Sequence, residues 1–210
     1  MKTKIIKVDR RHLKKEDLRL VVEAVREGKN LVFPTDTVYG LGANAFNPQA
    51  IKNIYKIKGR SFNKPLILFI PRSEQLTPLI SDPAWEVQNL INQFWPGPLT
   101  IIFKASPMAQ MVTGRSSVAV RIPDDKVVLQ ILNELDVPLA TTSANRSGHP
   151  SPLTFSSASK ELSGKVDLII DAGKTKLGKE STIIDASSFP FCILREGCLT
   201  KGEIFRALQC

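Results

Sequence analysis

The chain has 210 residues, of which 42% are hydrophobic and 23% charged, and this composition is that of an ordinary globular protein rather than a disordered or fibrous one. Its formal net charge of +9 predicts attraction to anions such as nucleotides or nucleic acid. No apolar run approaches the roughly 20 residues that would span a bilayer, and the N-terminus lacks the apolar core of a signal peptide.

The chain contains three cysteines, all of them near the C-terminus: Cys192, Cys198 and Cys210. Their spacings match no metal-ligand or redox motif. An odd number of cysteines without evident partners is typical of proteins in a reducing compartment. We therefore expect free thiols and a cytoplasmic location.

Much of the positive charge lies in two segments. Residues 1–30 contain ten Lys or Arg and five Asp or Glu, and residues 37–73 contain six Lys or Arg and no acidic residue. A charged stretch is most often a solvated helix face or loop. The second segment also adjoins a glycine-rich motif, and this position favours an anion-attracting surface for nucleotide or nucleic acid.

Apolar spacing and turn residues predict an alternation of strands and helices along the chain. The predicted strands are residues 5–8, 31–33, 65–70, 99–103, 118–120, 137–141, 166–170, 181–184 and 192–194. The predicted helices are residues 16–27, 48–58, 85–94, 126–135, 155–162 and 202–208. Because no linker or change of composition interrupts this alternation, the sequence predicts one α/β domain over residues 1–210, with a mixed sheet.

The ends of three predicted helices carry recognisable signals. Gly28 and Gly59 are expected to end the first two helices, since glycine readily adopts the left-handed conformation found there. Asn47 precedes a proline in the first turn of the second helix and is expected to cap it. Thr200 and Glu203 have the spacing of a capping box for the last helix.

The first candidate binding element is the motif Pro-Thr-Asp-Thr-Val-Tyr-Gly-Leu-Gly-Ala at residues 34–43. Pro34 removes a backbone donor where the preceding apolar strand should end. The motif supplies hydroxyls, a carboxylate and two glycines, which suit the floor of a site for a small polar ligand. A tight turn with two permissive glycines is an equally good interpretation of these residues alone. The motif is not a P-loop, because no Gly-Lys-Ser/Thr follows it.

Four further segments carry polar or cationic groups at predicted strand or helix ends. They are Lys58-Gly59-Arg60 and residues 141–148, 179–182 and 195–197. Each alone is compatible with an ordinary turn. Because loops at strand ends converge in α/β folds, together they predict a ligand site at one edge of the sheet.

Arg121 stands in the apolar segment Val-Ala-Val-Arg-Ile-Pro at residues 118–123. A guanidinium on a buried strand needs an anionic or multiply accepting partner. A structural ion pair is the more common explanation for such an arginine, and a ligand clamp is the alternative.

The two histidines, His12 and His149, argue against several catalytic classes. His12 lies in the basic N-terminal segment and is expected to be exposed, and His149 has no evident serine and carboxylate partners for a triad. The sequence shows no cluster of His, Cys and carboxylates of the kind that would predict a zinc site. The remaining lysines, arginines and neutral donors suit chemistry that depends on positioning and charge stabilisation, such as phosphoryl or nucleotidyl transfer.

Seven motifs, in order along the chain, resemble the YrdC-like domain of threonylcarbamoyl-AMP synthases. They are the segments at residues 34–43, 58–60, 95–100, 118–123, 143–148, 180–182 and 194–197. The combination of Lys58-x-Arg60 with Ser143-x-Asn145 is fairly specific to this family. The resemblance covers nearly the whole chain and implies the single-domain form, with a twisted mixed sheet, flanking helices and an open, concave, basic face.

The resemblance also implies a reaction. L-threonine, bicarbonate and ATP, with Mg²⁺ on the ATP phosphates, would give L-threonylcarbamoyladenylate, diphosphate and water. A separate transferase complex would use that product to modify adenosine 37 of tRNA, and the basic face would allow tRNA binding. The resemblance implies no metal site made by the protein alone and no contact with a membrane.

By the resemblance, the motifs supply two subsites. Thr35, Arg121 and Ser181 would bind threonine, with Arg121 as the partner of its carboxylate. Lys58 and Arg60 would be the catalytic residues, because they would stabilise charge on the ATP phosphates without acid–base chemistry. The nucleotide site would comprise Lys58, Arg60, Asn63, Ser117, Thr141, Ser143, Asn145, Ser151 and Arg195.

The sequence departs from the family pattern at two places. It ends at Cys210 without the C-terminal extension of some members, so any lid over the site is expected to come from within the domain. Phe69 stands where some members have a histidine, so that contact with threonine stays open here.

Two other functions stay open. An RNA-binding module would account for the net charge of +9 but not for Thr35, Ser143 and Ser181. A YrdC-like paralogue with another carbamoyl or nucleotidyl reaction would share the fold. The related domain of hydrogenase maturation proteins usually lies within a much longer chain that carries zinc fingers, which this chain is not.

Overall fold

Ten strands form one continuous mixed sheet in the structure, a computed structural model that describes residues 2–8 and 12–209. The strands are β1 Lys4–Lys7, β2 Leu31–Phe33, β3 Gly40–Asn44, β4 Ile67–Phe69, β5 Leu99–Lys104, β6 Ser117–Arg121, β7 Leu139–Ser143, β8 Leu168–Asp171, β9 Thr182–Asp185 and β10 Cys192–Arg195. Their order across the sheet is β1-β8-β2-β3-β7-β4-β6-β5-β9-β10. The sheet contains parallel pairs such as β4 with β6 and antiparallel pairs such as β5 with β6, so the predicted mixed sheet is confirmed.

Seven α-helices flank the sheet within the described residues. They are α1 Lys15–Arg26, α2 Pro48–Lys58, α3 Glu86–Phe94, α4 Pro107–Thr113, α5 Lys126–Leu135, α6 Phe155–Leu162 and α7 Lys201–Leu208. Two short 3₁₀ helices, Ser73–Gln75 and Thr77–Leu79, lie between β4 and α3. In the part of the chain that the structure describes, no helix is long and apolar enough to cross a membrane.

Alternate side chains along each strand lie on opposite faces of the sheet, because the side-chain period of a strand is two residues. On one face, α1 and α5 pack over β2, β7 and β8, where Phe33 and Leu139 are fully buried. On the other face, α2 and α6 cover β2, β3 and β8, and α3, α4 and α7 cover β4, β5, β6 and β9. The helices leave part of the first face open, over the second half of the sheet.

The predicted helix ends are largely confirmed. The Asn47 side chain accepts hydrogen bonds from the backbone N–H groups of Gln49 and Ala50, and Pro48 occupies the first turn. Gly59 ends α2 in the left-handed conformation with φ of 59°. Thr200 and Glu203 form the predicted reciprocal capping box at the start of α7.

Sequence patterns missed one strand, β3, one α-helix, α4, and the two short 3₁₀ helices. Residues 40–44 form a central strand between β2 and β7, so the interpretation of the glycines as a tight turn is wrong. A Cβ atom at Gly40 or Gly42 would lie 2.9 Å from the ring of Phe33. The two glycines therefore make room for a buried aromatic ring. The short helix α4 begins after Ser106, whose side chain accepts a hydrogen bond from the backbone of Ala109.

The predicted free thiols are confirmed for Cys192 and Cys198, which form no disulfide. Cys210, the third predicted free thiol, lies outside the described residues.

Candidate active site

The floor of the candidate site is the open part of the sheet face. Thr141, Ile67, Ala119 and Ile102 stand directly opposite one another on the adjacent strands β7, β4, β6 and β5. All four line a cleft of about 490 Å³. The expectation that the site lies at one edge of the sheet therefore needs correction, because these residues lie within strands and the surrounding loops form the walls.

The cleft brings together ten of the twelve residues that the sequence predicted for it. These are Thr35, Lys58, Arg60, Asn63, Arg121, Thr141, Ser143, Asn145, Ser181 and Arg195. Ser151 stands behind the wall, where its hydroxyl donates a 2.5 Å hydrogen bond to Glu180, a residue that does line the cleft. Ser117 lies in a neighbouring apolar cavity of about 240 Å³.

Lys58 ends α2 and is almost completely buried, with 2% of its surface exposed. Its Nζ donates to the carbonyl oxygen of Asn145 at 2.7 Å, to Oδ1 of the same residue at 3.0 Å, and to the carbonyl oxygen of Ser143. The Ser143 hydroxyl also donates to Asn145 Oδ1, at 2.6 Å. Lys58 therefore holds the loop after β7 against the end of α2, and the two motifs form one wall.

The pKa of Lys58 is lowered from its ordinary value of 10.5 to about 8, mainly by burial and secondly by the neighbouring positive charge of Arg60. The carboxylates of Glu180 and Glu161 act in the opposite direction. Arg60 is itself half-buried, and burial lowers its pKa too. Its guanidinium donates to the carbonyl oxygens of Lys64 and Pro65, at 3.2 and 3.0 Å. Two cations thus stand close enough for the charge of one to lower the pKa of the other, and their neutral acceptors do not cancel that charge, an arrangement that favours an anion.

The loop after β7 has a second support on its outer side. The Asn145 side chain donates to the carbonyl oxygen of His149. The His149 ring lies 2.9 Å from Oε1 of Glu161 on α6, and the backbone N–H of Arg146 donates to the same carboxylate at 3.3 Å. His149 is thus a structural neighbour of the site, without a serine partner.

Arg121, at the end of β6, has the buried partner that the sequence predicted for it. Its guanidinium pairs with the Asp36 carboxylate at 2.5 Å, and the two side chains are 3% and 1% exposed. It also donates to the Gly97 carbonyl oxygen at 2.9 Å and to the Thr37 hydroxyl at 3.0 Å. The Phe69 ring lies 5.5 Å from the guanidinium carbon, at a distance typical of a cation–π contact.

The hydroxyl of Thr35 organises the motif at residues 34–43. It donates to the Val38 carbonyl oxygen at 2.7 Å and accepts from the backbone N–H groups of Thr37 and Val38. These bonds fold the chain back between β2 and β3. Thr37 and Val38 are thereby placed in the cleft wall beside Arg121.

Glu180, Ser181 and Arg195 form the wall opposite Lys58. Arg195 pairs with the Glu180 carboxylate and donates to the Ser181 carbonyl and hydroxyl oxygens, at 3.0 and 3.2 Å. The Ser181 hydroxyl also lies 2.9 Å from that of Thr100. Gly197 allows this packing, since a Cβ atom there would lie 2.2 Å from the Glu180 carbonyl oxygen.

Sequence reasoning did not assign a role to Asp36, Thr37 or Glu180, although they belong to the motifs at residues 34–43 and 180–182. Asp36 and Thr37 contact Arg121, and Glu180 lines the cleft. The one available signal was that a buried arginine needs a partner. Among the described residues there is no group of three or more His, Cys, Asp and Glu that could hold a metal ion.

The fold and the cleft define an α/β domain with a cation-lined site on an open sheet face. The family model Sua5_yciO_yrdC, described as "Telomere recombination", matches residues 23–197, and the chain belongs to that family.

Curated relatives are similar over most of this chain. A threonylcarbamoyl-AMP synthase of Pyrococcus abyssi is 40% identical over 201 residues, which are 95% of this chain and 59% of that protein. A putative threonylcarbamoyl-AMP synthase of Methanocaldococcus jannaschii is 38% identical over 212 residues, which are 98% of this chain and 99% of that protein. The chain thus spans little more than half of the first relative and almost all of the second.

Solved structures have the same fold. The crystal structure of Pyrococcus abyssi Sua5 complexed with L-threonine superposes with a TM-score of 0.93 at 40% sequence identity, covering 98% of this chain and 61% of that one. The crystal structure of Escherichia coli YciO superposes with a TM-score of 0.86 at 23% identity, covering 97% of this chain and 99% of that one, and supports the fold alone.

Proposed function

We propose that this protein forms L-threonylcarbamoyladenylate and diphosphate from L-threonine, bicarbonate and ATP. The observation that carries the proposal is one cleft lined by a buried arginine, Arg121, and by three further cations, Lys58, Arg60 and Arg195. A site of this kind offers one fixed partner for a small carboxylate and several for phosphates. The names of the relatives and the threonine complex of a structural neighbour support the same reaction.

We place the threonine substrate beside Arg121, Thr35 and Ser181. The described contacts of Arg121 use three of its five N–H donors, so two are left for the bidentate geometry that a carboxylate prefers. Phe69 supports the guanidinium by its ring face. This contact gives Phe69 a role here where some family members have a histidine.

We place the ATP phosphates against Lys58, Arg60 and Arg195. The neighbouring donors Asn63, Thr141, Ser143 and Asn145 also line the cleft, and Ser151 supports it through Glu180.

For the adenine we propose the apolar cavity that contains Ser117, Tyr55 and Phe62. This cavity shares Pro65 and Ala119 with the cleft. Leu68, Val118 and Ala140 in its lining, however, face the other side of the sheet, so a nucleotide would reach it past Pro65, beside the start of β4. An adenine in this cavity would lie beside Ser117, although Ser117 is outside the cleft.

The chemistry that we propose needs alignment and charge stabilisation. The threonine amine and bicarbonate give a carbamate and water, a carbamate oxygen attacks the α-phosphate, and diphosphate leaves. The carbamate and the triphosphate are both anions, so Lys58, Arg60 and Arg195 would reduce their mutual repulsion and hold them in line. Mg²⁺ would enter with ATP, and a carboxylate with several hydroxyl groups in the wall fits such an ion, which usually keeps phosphates and waters as ligands.

We further propose a cytoplasmic protein whose product is used by a separate transferase complex that modifies tRNA. The unpaired thiols of Cys192 and Cys198 are consistent with a reducing compartment. The transferase step rests on the family resemblance.

An open hollow of about 620 Å³ favours a second candidate function, RNA binding. Lys56, Arg146 and Lys165 line this hollow next to Gly59, and Asp167 is the acidic residue in its lining. Three cations at the rear of the cleft loops could contact RNA phosphates. Binding through such contacts would weaken steeply with salt.

Diphosphate release by the purified protein separates the two candidates. The reaction would contain ATP and Mg²⁺, with threonine and bicarbonate added singly and together. Release that requires both supports the synthase. Absence of release under every condition, with salt-sensitive RNA binding intact, would favour the RNA-binding module.

A further inference from the structure

Among the residues that the structure describes, Glu180 is the only carboxylate in the lining of the cleft, and five cations line the same cleft. These cations are Lys58, Arg60, Lys64, Arg121 and Arg195. A site that only had to bind a triphosphate would gain nothing from a negative charge in its wall. The position of Glu180 therefore calls for a role of its own.

Both carboxylate oxygens of Glu180 have partners in the structure. Oε1 accepts the 2.5 Å hydrogen bond from Ser151, and Oε2 pairs with Arg195. The backbone is fixed as well, since the Glu180 carbonyl oxygen accepts from the N–H of Cys198 at 2.9 Å and lies against Gly197. The side chain, however, is 35% exposed, so it can reorient towards the cleft while the backbone stays in place.

A phosphate beside an ionised carboxylate is repelled by it unless a cation lies between them. Mg²⁺ is commonly bound by one or two carboxylates together with substrate phosphates. We propose that Glu180 is a protein ligand of the divalent cation that accompanies ATP, and that it leaves Arg195 when the metal–nucleotide complex binds. The released Arg195 would then be free to contact the phosphates. This inference rests on the proposed function, because it requires that the cleft bind ATP.

Calorimetric binding of ATP to the wild-type protein and to Glu180→Gln, without threonine or bicarbonate, tests the assignment. Each protein is titrated once in EDTA and once in excess Mg²⁺. Glu196→Gln is the matched control, since Glu196 is exposed, lies next to Arg195 in sequence and is not in the cleft lining. Its contact with the Lys201 N–H can be kept by the amide oxygen of glutamine.

If Glu180 binds the metal, the wild-type protein and Glu196→Gln bind ATP about tenfold or more tightly with Mg²⁺ than with EDTA, a ratio typical of coupled ligands. In Glu180→Gln that ratio falls to about threefold or less, with tighter binding than wild type in EDTA because the repelling charge is gone. An unchanged ratio in Glu180→Gln overturns the metal assignment but leaves the proposed function intact. Failure of the wild-type protein to bind ATP in either buffer overturns both.

A crystal structure of the wild-type protein with ATP and Mn²⁺ makes the test independent of how well the variant folds. The anomalous peak of the metal is expected roughly 2.2 Å from a Glu180 carboxylate oxygen, close to the distances of oxygen ligands around such ions. A metal held by phosphates and waters alone, with Glu180 still on Arg195, would overturn the inference.

Discussion

Arg121 and Asp36 form an ion pair beneath the cleft, with Nη2 and Oδ1 2.5 Å apart and both side chains almost fully buried. One Asp36 oxygen, Oδ2, is buried and has no hydrogen-bond partner. The carboxylate therefore depends on this single arginine for compensation of its charge. The pair also fixes the guanidinium beside Thr37, so that its remaining donors are held in the lining of the cleft.

Arg121→Ala should destabilise the fold as well as impair threonine binding. Removal of one partner from a buried ion pair leaves an uncompensated charge and typically costs roughly 3–5 kcal/mol. We expect the double variant Asp36→Ala, Arg121→Ala to be less destabilised than the sum of the two single variants. Urea unfolding of the four proteins measures this coupling. Simple additivity would show that the pair contributes no interaction energy.

Activity should fall above about pH 8 because Lys58 loses its proton there. Its pKa is lowered mainly by burial, so the amine is charged below this pH and neutral above it. The neutral form has no charge to offer phosphate and cannot donate to all three of its loop acceptors. The profile of kcat/KM for ATP, which reports the free enzyme, should show this basic limb.

Two variants test whether Lys58 causes that limb. Lys58→Arg keeps the charge and should move the limb to much higher pH, even if the rate is lower. Arg60→Gln removes a neighbouring positive charge and should raise the pKa of Lys58, so its limb should shift upward by a smaller amount. A limb that stays at the same pH in Lys58→Arg belongs to another group.

Gly197→Ala should disturb the wall that contains Glu180 and Ser181. The added Cβ would lie 2.2 Å from the Glu180 carbonyl oxygen and 2.5 Å from that of Ser181, so the backbone must move. We expect a loss of roughly 1–3 kcal/mol in stability, as for other overpacked positions, together with a higher KM for both substrates. Gly202→Ala is the control, since no atom lies within 4 Å of its Cβ and alanine favours helix α7. Equal melting temperatures for the two variants would contradict this account.

Phe62→Ala should weaken nucleotide binding selectively. The Phe62 ring lies 4.4 Å from that of Tyr55, centroid to centroid, in the cavity proposed for adenine. Loss of the proposed aromatic contact between Phe62 and the adenine, worth about 0.5–1.5 kcal/mol, should raise KM for ATP roughly two- to tenfold. KM for threonine should stay unchanged. Phe189→Ala removes an even more exposed ring, which packs against Phe191 and is not in either lining. A similar effect of both variants on KM for ATP would argue against the adenine cavity.

Most of the fold could be predicted because local signals and hydrophobic periodicity agree. Asn47, Gly59 and the capping box of Thr200 and Glu203 mark helix ends by chemistry that acts over a few residues. Strand β3 was missed because glycines have low strand propensity. Glycines are needed at these positions because the ring of Phe33, on the neighbouring strand β2, occupies the space that a Cβ atom would take.

The site could be predicted as a set of residues but not as a geometry. Arg121 in an apolar strand required a partner, yet Asp36 stands 85 positions away and only the fold brings it there. Likewise, the sequence does not show that Lys58 joins the end of α2 to the loop after β7, a contact that only the fold creates. The position of the cleft on a sheet face depends on which part of the sheet the helices leave uncovered.

The most direct test of the proposed synthesis is mass spectrometry of the product formed with ¹³C-bicarbonate. The purified protein is incubated with ATP, Mg²⁺ and L-threonine, with labelled or unlabelled bicarbonate. We predict threonylcarbamoyl-AMP that carries one labelled carbon and that does not form when threonine is omitted. A threonyl adenylate without the label, or no adenylate of any kind, would contradict the account.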